Sequence, residues 1–195
     1  MTNTIKYGII GTGVMGQEHI QNINIIANAE VVAICDTNEN SRNQAKSLVK
    51  DSTKFYNDLN ELISNNIADA YIIATPNFTH FNILERILKT NKHLLIEKPL
   101  CTTTDDCKKF DFMSQNYSKI IWTGMEYRYM PPVQQLIKEV HNNVIGKIKM
   151  LSIREHRFPF LHKVDDWNRF AVNTGGTLVE KCCHFFDLMR LVIQS

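Results

Sequence analysis

The sequence predicts an α/β fold with a doubly wound parallel sheet over residues 1–123. Short apolar runs rich in β-branched residues alternate there with longer amphipathic stretches. Apolar runs without polar alternation are typical of strands buried on both faces of a parallel sheet. Repeated strand–helix–strand units of this length predict helices on both sides of that sheet. The predicted strands are residues 6–10, 31–35, 70–74, 93–97 and 119–122.

The composition is that of an ordinary globular protein. The chain has 195 residues, of which 44% are hydrophobic and 22% charged, and a formal net charge of +2. Such a balance gives no reason to expect nucleic acid or a membrane as a partner, and no apolar stretch approaches the ~20 residues of a membrane span. The five cysteines are odd in number and irregularly spaced, which predicts reduced thiols in a cytoplasmic protein.

The pattern changes after residue 123, and residues 124–195 predict the beginning of a second α/β domain. Prolines at its start favour a helix over 130–143, and alternating residues favour a strand over 146–158. A single long strand is too little for a sheet of its own. We therefore expect either that the chain is truncated at its C-terminal end or that another chain completes this domain.

A glycine motif follows the first predicted strand. Residues 11–16 read GTGVMG, which fits G-x-G-x-x-G, and they open a helical pattern. In this context Gly11 permits a tight turn, Gly13 lets a pyrophosphate approach the backbone, and Gly16 lets the helix lie close to the sheet. The helix N-terminus, with Val14 and Met15, offers free N–H groups to phosphate. The motif predicts a Rossmann-type dinucleotide site.

A carboxylate ends the second predicted strand. Asp36 lies twenty residues after Gly16, where an acidic side chain accepts hydrogen bonds from the adenosine ribose and repels a 2′-phosphate. The sequence therefore favours NAD over NADP. Arg42 is close enough to weaken that preference, although a solvated helix face is its simpler interpretation.

Two further motifs resemble the Gfo/Idh/MocA oxidoreductases, the family of glucose–fructose oxidoreductase and inositol dehydrogenase. They are ATPNFTH at 74–80 and EKPL at 97–100, each following a predicted strand. The resemblance covers essentially the whole chain. It implies a Rossmann domain joined to a C-terminal α/β domain, and hydride transfer between NAD(P) and a secondary alcohol of a sugar, inositol or related polyol. It also implies a homo-oligomer for a full-length relative, assembled through the C-terminal sheet.

The resemblance also assigns roles to residues. Glu97 and Lys98 would lie beside the nicotinamide, with Lys98 touching the reacting hydroxyl. Arg128 and Trp167 would lie near the substrate. A helix-surface histidine is the alternative interpretation of position 80. Residues implied to line the cofactor near its ribose and nicotinamide are Thr75, Pro76, Asn77 and His80.

The last predicted helix begins at Thr177. A spacing of 100° per residue places Leu178, Cys182, Phe185, Met189 and Val192 on one inward stripe. Glu180 and His184 fall on the other side, where the family carries an Asp and a His four residues apart. Glu180 is alternatively the last member of a capping box with Thr177 as N-cap. Lys181, at a position that is usually apolar in the family, points away from both and is interpreted as a surface residue.

These positions suggest a mechanism by resemblance to the family. His184 takes the hydroxyl proton, Lys98 stabilises the developing negative charge, and Glu180 orients His184. No metal is expected, because adjacent helical cysteines at 182 and 183 point about 100° apart and cannot share one ion. Two alternatives remain: an NAD-binding fragment without turnover and an NAD-dependent glycosidase of the same fold.

Overall fold

The computed structural model describes residues 4–156, 158–159 and 161–193. Its centre is one six-stranded sheet in the order β3-β2-β1-β4-β5-β6, in which all neighbouring strands are parallel. The strand order reverses between β1 and β4, which is where doubly wound sheets bind their ligands. The strands are β1 (Ile5–Ile10), β2 (Ala29–Cys35), β3 (Lys54–Tyr56), β4 (Ala70–Ile73), β5 (His93–Ile96) and β6 (Ile121–Thr123).

Helices connect the strands and continue beyond them. The helices are α1 (Val14–Asn24), α2 (Glu39–Lys46), α3 (Leu59–Asn65), α4 (His80–Ile87), α5 (Thr104–Ser114), α6 (Pro131–His141), α7 (Ala171–Thr174), α8 (Thr177–Glu180) and α9 (Cys183–Ile193). Short 3₁₀ turns occupy Asn77–Thr79, Leu88–Thr90, Glu126–Tyr129 and Val164–Arg169. In the described part of the chain, no helix is long and apolar enough to cross a membrane.

Two hydrophobic cores lie on opposite faces of the sheet. One contains Ile20 and Ile23 of α1 with Ile9 of β1, and the other contains Leu62 of α3 and Leu84 of α4. Adjacent residues of β1 therefore point into different cores, as the alternation of a strand requires. This explains why the strands read as unbroken apolar runs and confirms the predicted fold class.

The structure corrects two expectations about strands. β3 was not predicted, because its three residues, one exposed and two partly buried, carry no clear apolar run. The strand expected over 146–158 is wrong for the described residues of that range, which form no regular structure. Alternation alone does not make a strand, since its backbone groups need a neighbouring strand to pair with. The helix expected from the prolines is present as α6.

Candidate active site at the carboxyl ends of the strands

The glycine loop joins β1 to α1 with almost no space to spare. A Cβ on Gly16 would lie 2.0 Å from the carbonyl oxygen of Gly11, so only glycine lets the first turn of α1 pack against the loop. A Cβ on Gly13, by contrast, would meet no atom within 4 Å. Gly13 is also the residue just before α1, and α1 has no side-chain cap. Open space and free N–H groups therefore coincide at this helix N-terminus.

These two glycines form a matched pair for mutation. Gly16→Ala forces a carbon into a backbone oxygen and should destabilise the chain by about 1–3 kcal/mol or more. Gly13→Ala should cost at most about 1 kcal/mol, because its new carbon meets nothing and only the helix start is affected. NAD binding should nevertheless fall about tenfold or more in Gly13→Ala, since the carbon fills the space for the pyrophosphate. Urea unfolding and NADH fluorescence titration measure the two effects. Equal unfolding free energies for the two variants would contradict this interpretation of the loop.

Asp36 is fixed at the end of β2 by three hydrogen bonds. One carboxylate oxygen accepts from the backbone N–H and hydroxyl of Thr12, at 2.7 and 3.1 Å, and the other accepts from the backbone N–H of Asn38 at 2.8 Å. A carboxylate has about four lone-pair sites, so one remains for a ribose hydroxyl. Arg42 does not simply face solvent, because its guanidinium donates to the Asp36 carbonyl at 2.5 Å.

Glu97 and Lys98 directly follow β5, which is separated in the sheet from β1 and its glycine loop by β4. Glu97 is 8% exposed and lies 2.7 Å from the ring of His19 on α1. Burial acts to raise the pKa of Glu97, but the His19 hydrogen bond and the nearby positive charges outweigh it and lower that pKa. The side chain of Lys98 extends to the end of α8, where its ammonium donates to the carbonyl of Glu180 at 3.4 Å.

His80 is fully buried, so the helix-surface interpretation is wrong. Its two ring nitrogens lie 2.9 Å from the carbonyl oxygen of Pro99 and 3.0 Å from that of Thr75. Both nitrogens thus face backbone carbonyl oxygens, and a neutral ring donates its one N–H to one of them. The imidazole ties the loop after β4 to the loop that carries Lys98, and a direct contact with cofactor stays a prediction. In the loop after β4, the hydroxyl of Thr79 donates to that of Thr75 at 2.7 Å, and Asn77 is buried.

Gly175 brings the final helices to Lys98. Its φ of 76° lies in the left-handed region, and a Cβ there would stand 2.7 Å from the carbonyl oxygen of Thr102. Glycine therefore lets the turn before α8 pack against the loop after β5. The N-cap of α8 is Gly176 and not Thr177, so the predicted capping box is wrong.

The predicted inward stripe of the last helix is right for Val192, which is buried, and wrong for Leu178, which is exposed. The segment forms two helices, α8 and α9, and this break changes which residues face inward. Leu178 is 67% exposed, whereas His184, Leu188 and Val192 are buried at i, i+4 and i+8. Side-chain directions calculated at 100° per residue from Thr177 hold only within one continuous helix, and this segment forms two.

His184 lies inside this interface. It is 1% exposed, and its ring stacks on that of Tyr127 with centroids 4.1 Å apart and an angle of 8° between planes. Its Nε2 is 3.5 Å from a carboxylate oxygen of Glu126, and its Nδ1 has no hydrogen-bond partner in the described part of the chain. Burial, together with the charges of Lys98 and Lys181, lowers the pKa of His184 to about 4. The ring is therefore neutral near pH 7.

Lys181 is not a surface residue, contrary to expectation. It is 7% exposed, its ammonium lies 2.9 Å from the carboxylate of Glu155, and it donates a hydrogen bond to the hydroxyl of Tyr127. The break between α8 and α9 turns its side chain inward. Treating residues 177–193 as one helix does not predict that Lys181 is buried.

The two residues predicted near the substrate have defined protein contacts. The guanidinium of Arg128 makes two hydrogen bonds with the carboxylate of Asp187, which joins the 126–129 turn to α9. Trp167 packs edge-on against Phe78, with ring centroids 6.4 Å apart. The contact of Trp167 brings the 164–169 turn close to the loop after β4. Substrate contacts of both residues stay predictions.

No group of three or more His, Cys, Asp and Glu side chains suited to a metal ion occurs among the residues that the structure describes. All five cysteines are free thiols. Cys183 donates weakly to the carbonyl of Glu180 at 3.5 Å, and burial raises the pKa of its thiol.

Sequence reasoning missed His19, Glu126, Tyr127 and Lys163 as neighbours of the site. Burial and then the charge of Lys98 lower the pKa of Lys163. These residues come from α1, a 3₁₀ turn and an irregular loop. No local motif marks them, since only tertiary packing brings them to Glu97, Lys98 and His184.

The fold and this site define a dinucleotide-binding α/β protein with titratable side chains at the reversal of strand order. A family model described as "Oxidoreductase family, NAD-binding Rossmann fold" matches residues 5–125, and a second, "Oxidoreductase family, C-terminal alpha/beta domain", matches 137–194. The chain belongs to this Gfo/Idh/MocA oxidoreductase family, which confirms the resemblance stated above.

Named relatives are similar over nearly all of this chain. Inositol 2-dehydrogenase of Salmonella paratyphi B is 30% identical over 98% of the chain and 55% of its own length. Glucose-6-phosphate 3-dehydrogenase of Bacillus subtilis is 31% identical over 97% of the chain and 54% of its own length. The crystal structure of myo-inositol dehydrogenase from Lactobacillus casei with NAD(H) and myo-inositol is 29% identical, with a TM-score of 0.69 over 73% of this chain and 43% of that one. The chain spans about half the length of the curated relatives it matches.

Proposed function

We propose that this chain carries the NAD site and the acid–base residues of a dehydrogenase that oxidises a secondary alcohol of an inositol, sugar or related polyol. The observation that supports this most strongly is the meeting of Lys98, Glu180 and a buried, neutral His184 beside the dinucleotide fold. Named dehydrogenases of inositol and of a sugar phosphate among the relatives support the same reaction class.

The residues present fit an NAD molecule. The open space at Gly13 and the uncapped start of α1 would take the pyrophosphate, with Val14 and Met15 in the first turn. Asp36, with one acceptor site to spare, would hold the adenosine ribose. The loop after β4, from Thr75 to Asn77, and Glu97 would line the nicotinamide end.

His184 is suited to take a proton from the substrate hydroxyl. Bound NAD supplies the acceptor for the hydride that leaves the same carbon. A neutral imidazole accepts the proton. Of its ring nitrogens, the Nδ1 of His184 is buried and has no hydrogen-bond partner among the described residues. The ammonium of Lys98 hydrogen-bonds the substrate oxygen and stabilises its developing negative charge. Glu180, the last residue of α8 and four residues before His184, orients the substrate or the imidazole.

Asp36 sets the preference for NAD. In Asp36→Ser the charge that repels a 2′-phosphate is lost, while the guanidinium of Arg42 on α2 still lies against the backbone carbonyl of residue 36. We expect NAD affinity to fall about tenfold to a hundredfold, because hydrogen bonds to a charged group contribute about 1.5–3 kcal/mol. NADP affinity should rise in the same variant. Fluorescence titration with NADH and NADPH measures both, and unchanged selectivity would remove Asp36 from the ribose site.

The reaction class is tested by following NADH absorbance with a panel of inositols, aldoses and sugar phosphates. Steady accumulation of NADH with a polyol supports the dehydrogenase. Hydrolysis of a glycoside that needs NAD but leaves no net NADH would instead support the glycosidase. NAD binding without either product, at every substrate, would show that this chain alone does not turn over.

A further inference from the structure

Lys181 is a buried cation held in one place by two partners. Its ammonium lies 2.9 Å from a carboxylate oxygen of Glu155 and also donates to the hydroxyl of Tyr127. It stands 4.6 Å from the centroid of the Tyr127 ring, within the range of a cation–π contact. Burying an ammonium is costly unless its charge is paired and hydrogen-bonded. Lys181, Glu155 and Tyr127 therefore form a defined cluster, here called the lysine cluster.

Tyr127 links the lysine cluster to His184. The two rings are nearly parallel, and their centroids are 4.1 Å apart. The phenol hydroxyl is itself held, since it donates to Glu155 at 3.2 Å. A tyrosine fixed at its hydroxyl presents a fixed ring face, and the imidazole packed flat against that face cannot rotate freely.

We infer that Lys181 is a positioning residue for His184: it fixes the plane of the imidazole through Tyr127, and its positive charge disfavours protonation of that ring. This inference rests on the proposed function, in which His184 takes the hydroxyl proton.

Other charged and titratable groups also surround His184. Burial and the two lysine charges lower its pKa to about 4, whereas Glu97 and Asp187 act in the opposite direction. A nearby cation disfavours a second positive charge, so removing Lys181 must raise the pKa of His184. Besides Lys181 and Tyr127, the groups facing the ring are Lys98 and Glu97 after β5, Glu126 in the 3₁₀ turn, and Cys183 and Asp187 on α9.

The test is an NMR titration of the His184 imidazole in the chain without substrate. Lys181→Met removes the charge and keeps most of the side-chain volume, and Lys181→Arg keeps the charge. We expect the midpoint of His184 to rise by about 0.5–1 pH unit in Lys181→Met. It should stay near the wild-type value in Lys181→Arg. An unchanged or lower midpoint in a folded Lys181→Met variant would overturn the inference.

Glu155→Gln provides a second test if Lys181→Met does not fold. Glu155 is an exposed residue, and its loss leaves the Lys181 charge uncompensated. His184 should then titrate at or below its wild-type midpoint, and a rise would contradict the inference. The titration needs no turnover, so it separates the two proposals. A shifted midpoint in a chain that forms no NADH would show that this chain alone does not turn over and would leave the link between Lys181 and His184 standing.

Discussion

Replacing His184 by alanine should lower turnover by roughly 10²–10⁴-fold, the usual contribution of a positioned acid–base group. The substrate hydroxyl then has no neutral imidazole to accept its proton as the hydride leaves. NAD affinity should be unchanged, because His184 lies on α9 and the glycine loop and Asp36 are untouched. Steady-state NADH formation and NADH fluorescence titration measure the two quantities.

The matched control is His156→Ala. His156 is an exposed histidine in the same half of the chain, and its loss should leave turnover and stability near wild type. A His184→Ala variant that folds, binds NAD and keeps more than about a tenth of wild-type turnover would remove His184 from the role of base.

Replacing Lys98 by methionine should lower turnover by a similar factor, but for a different reason. The negative charge on the substrate oxygen grows in the transition state, and a fixed cation there contributes about 10²–10³-fold in turnover. Lys98 also donates to the Glu180 carbonyl, so its loss should loosen the contact between the two halves of the chain. We expect a lower kcat with a smaller change in the KM for the polyol.

Lys98→Met also removes one of the two cations that lower the pKa of His184. The lower limb of the pH–rate profile should therefore move to higher pH, because His184 is protonated more easily. Lys89→Met, at an exposed position in the turn after α4, is the control. It should change neither kcat nor the pH–rate profile. A Lys98→Met variant with wild-type kcat would contradict the assigned role.

The sequence predicted the Rossmann half well because its signals are local. Gly16 contacts the backbone of Gly11 only five residues away, and Asp36 ends a strand that pairs directly with β1. Both features follow from short motifs in a strand–loop–helix context.

The rest of the site could not be predicted, because it depends on where separate segments meet. His19 reaches Glu97 across 78 residues, and Lys181 reaches Tyr127 across 54. A helical projection assumes one continuous helix, and the break between α8 and α9 turned Lys181 inward and moved the buried face to His184 and Leu188. Only the packed structure shows these contacts.

The central claim is that a hydride passes from a polyol carbon to NAD bound at this site. It is tested most directly by incubating the chain with NAD and myo-inositol that carries deuterium on its ring carbons, and measuring the mass of the recovered cofactor. The account predicts reduced cofactor that is heavier by one deuterium, formed roughly 10²–10⁴-fold more slowly by His184→Ala than by wild type. Cofactor that binds, as judged by titration, yet gains no deuterium from any deuterated polyol or sugar of the panel would contradict it.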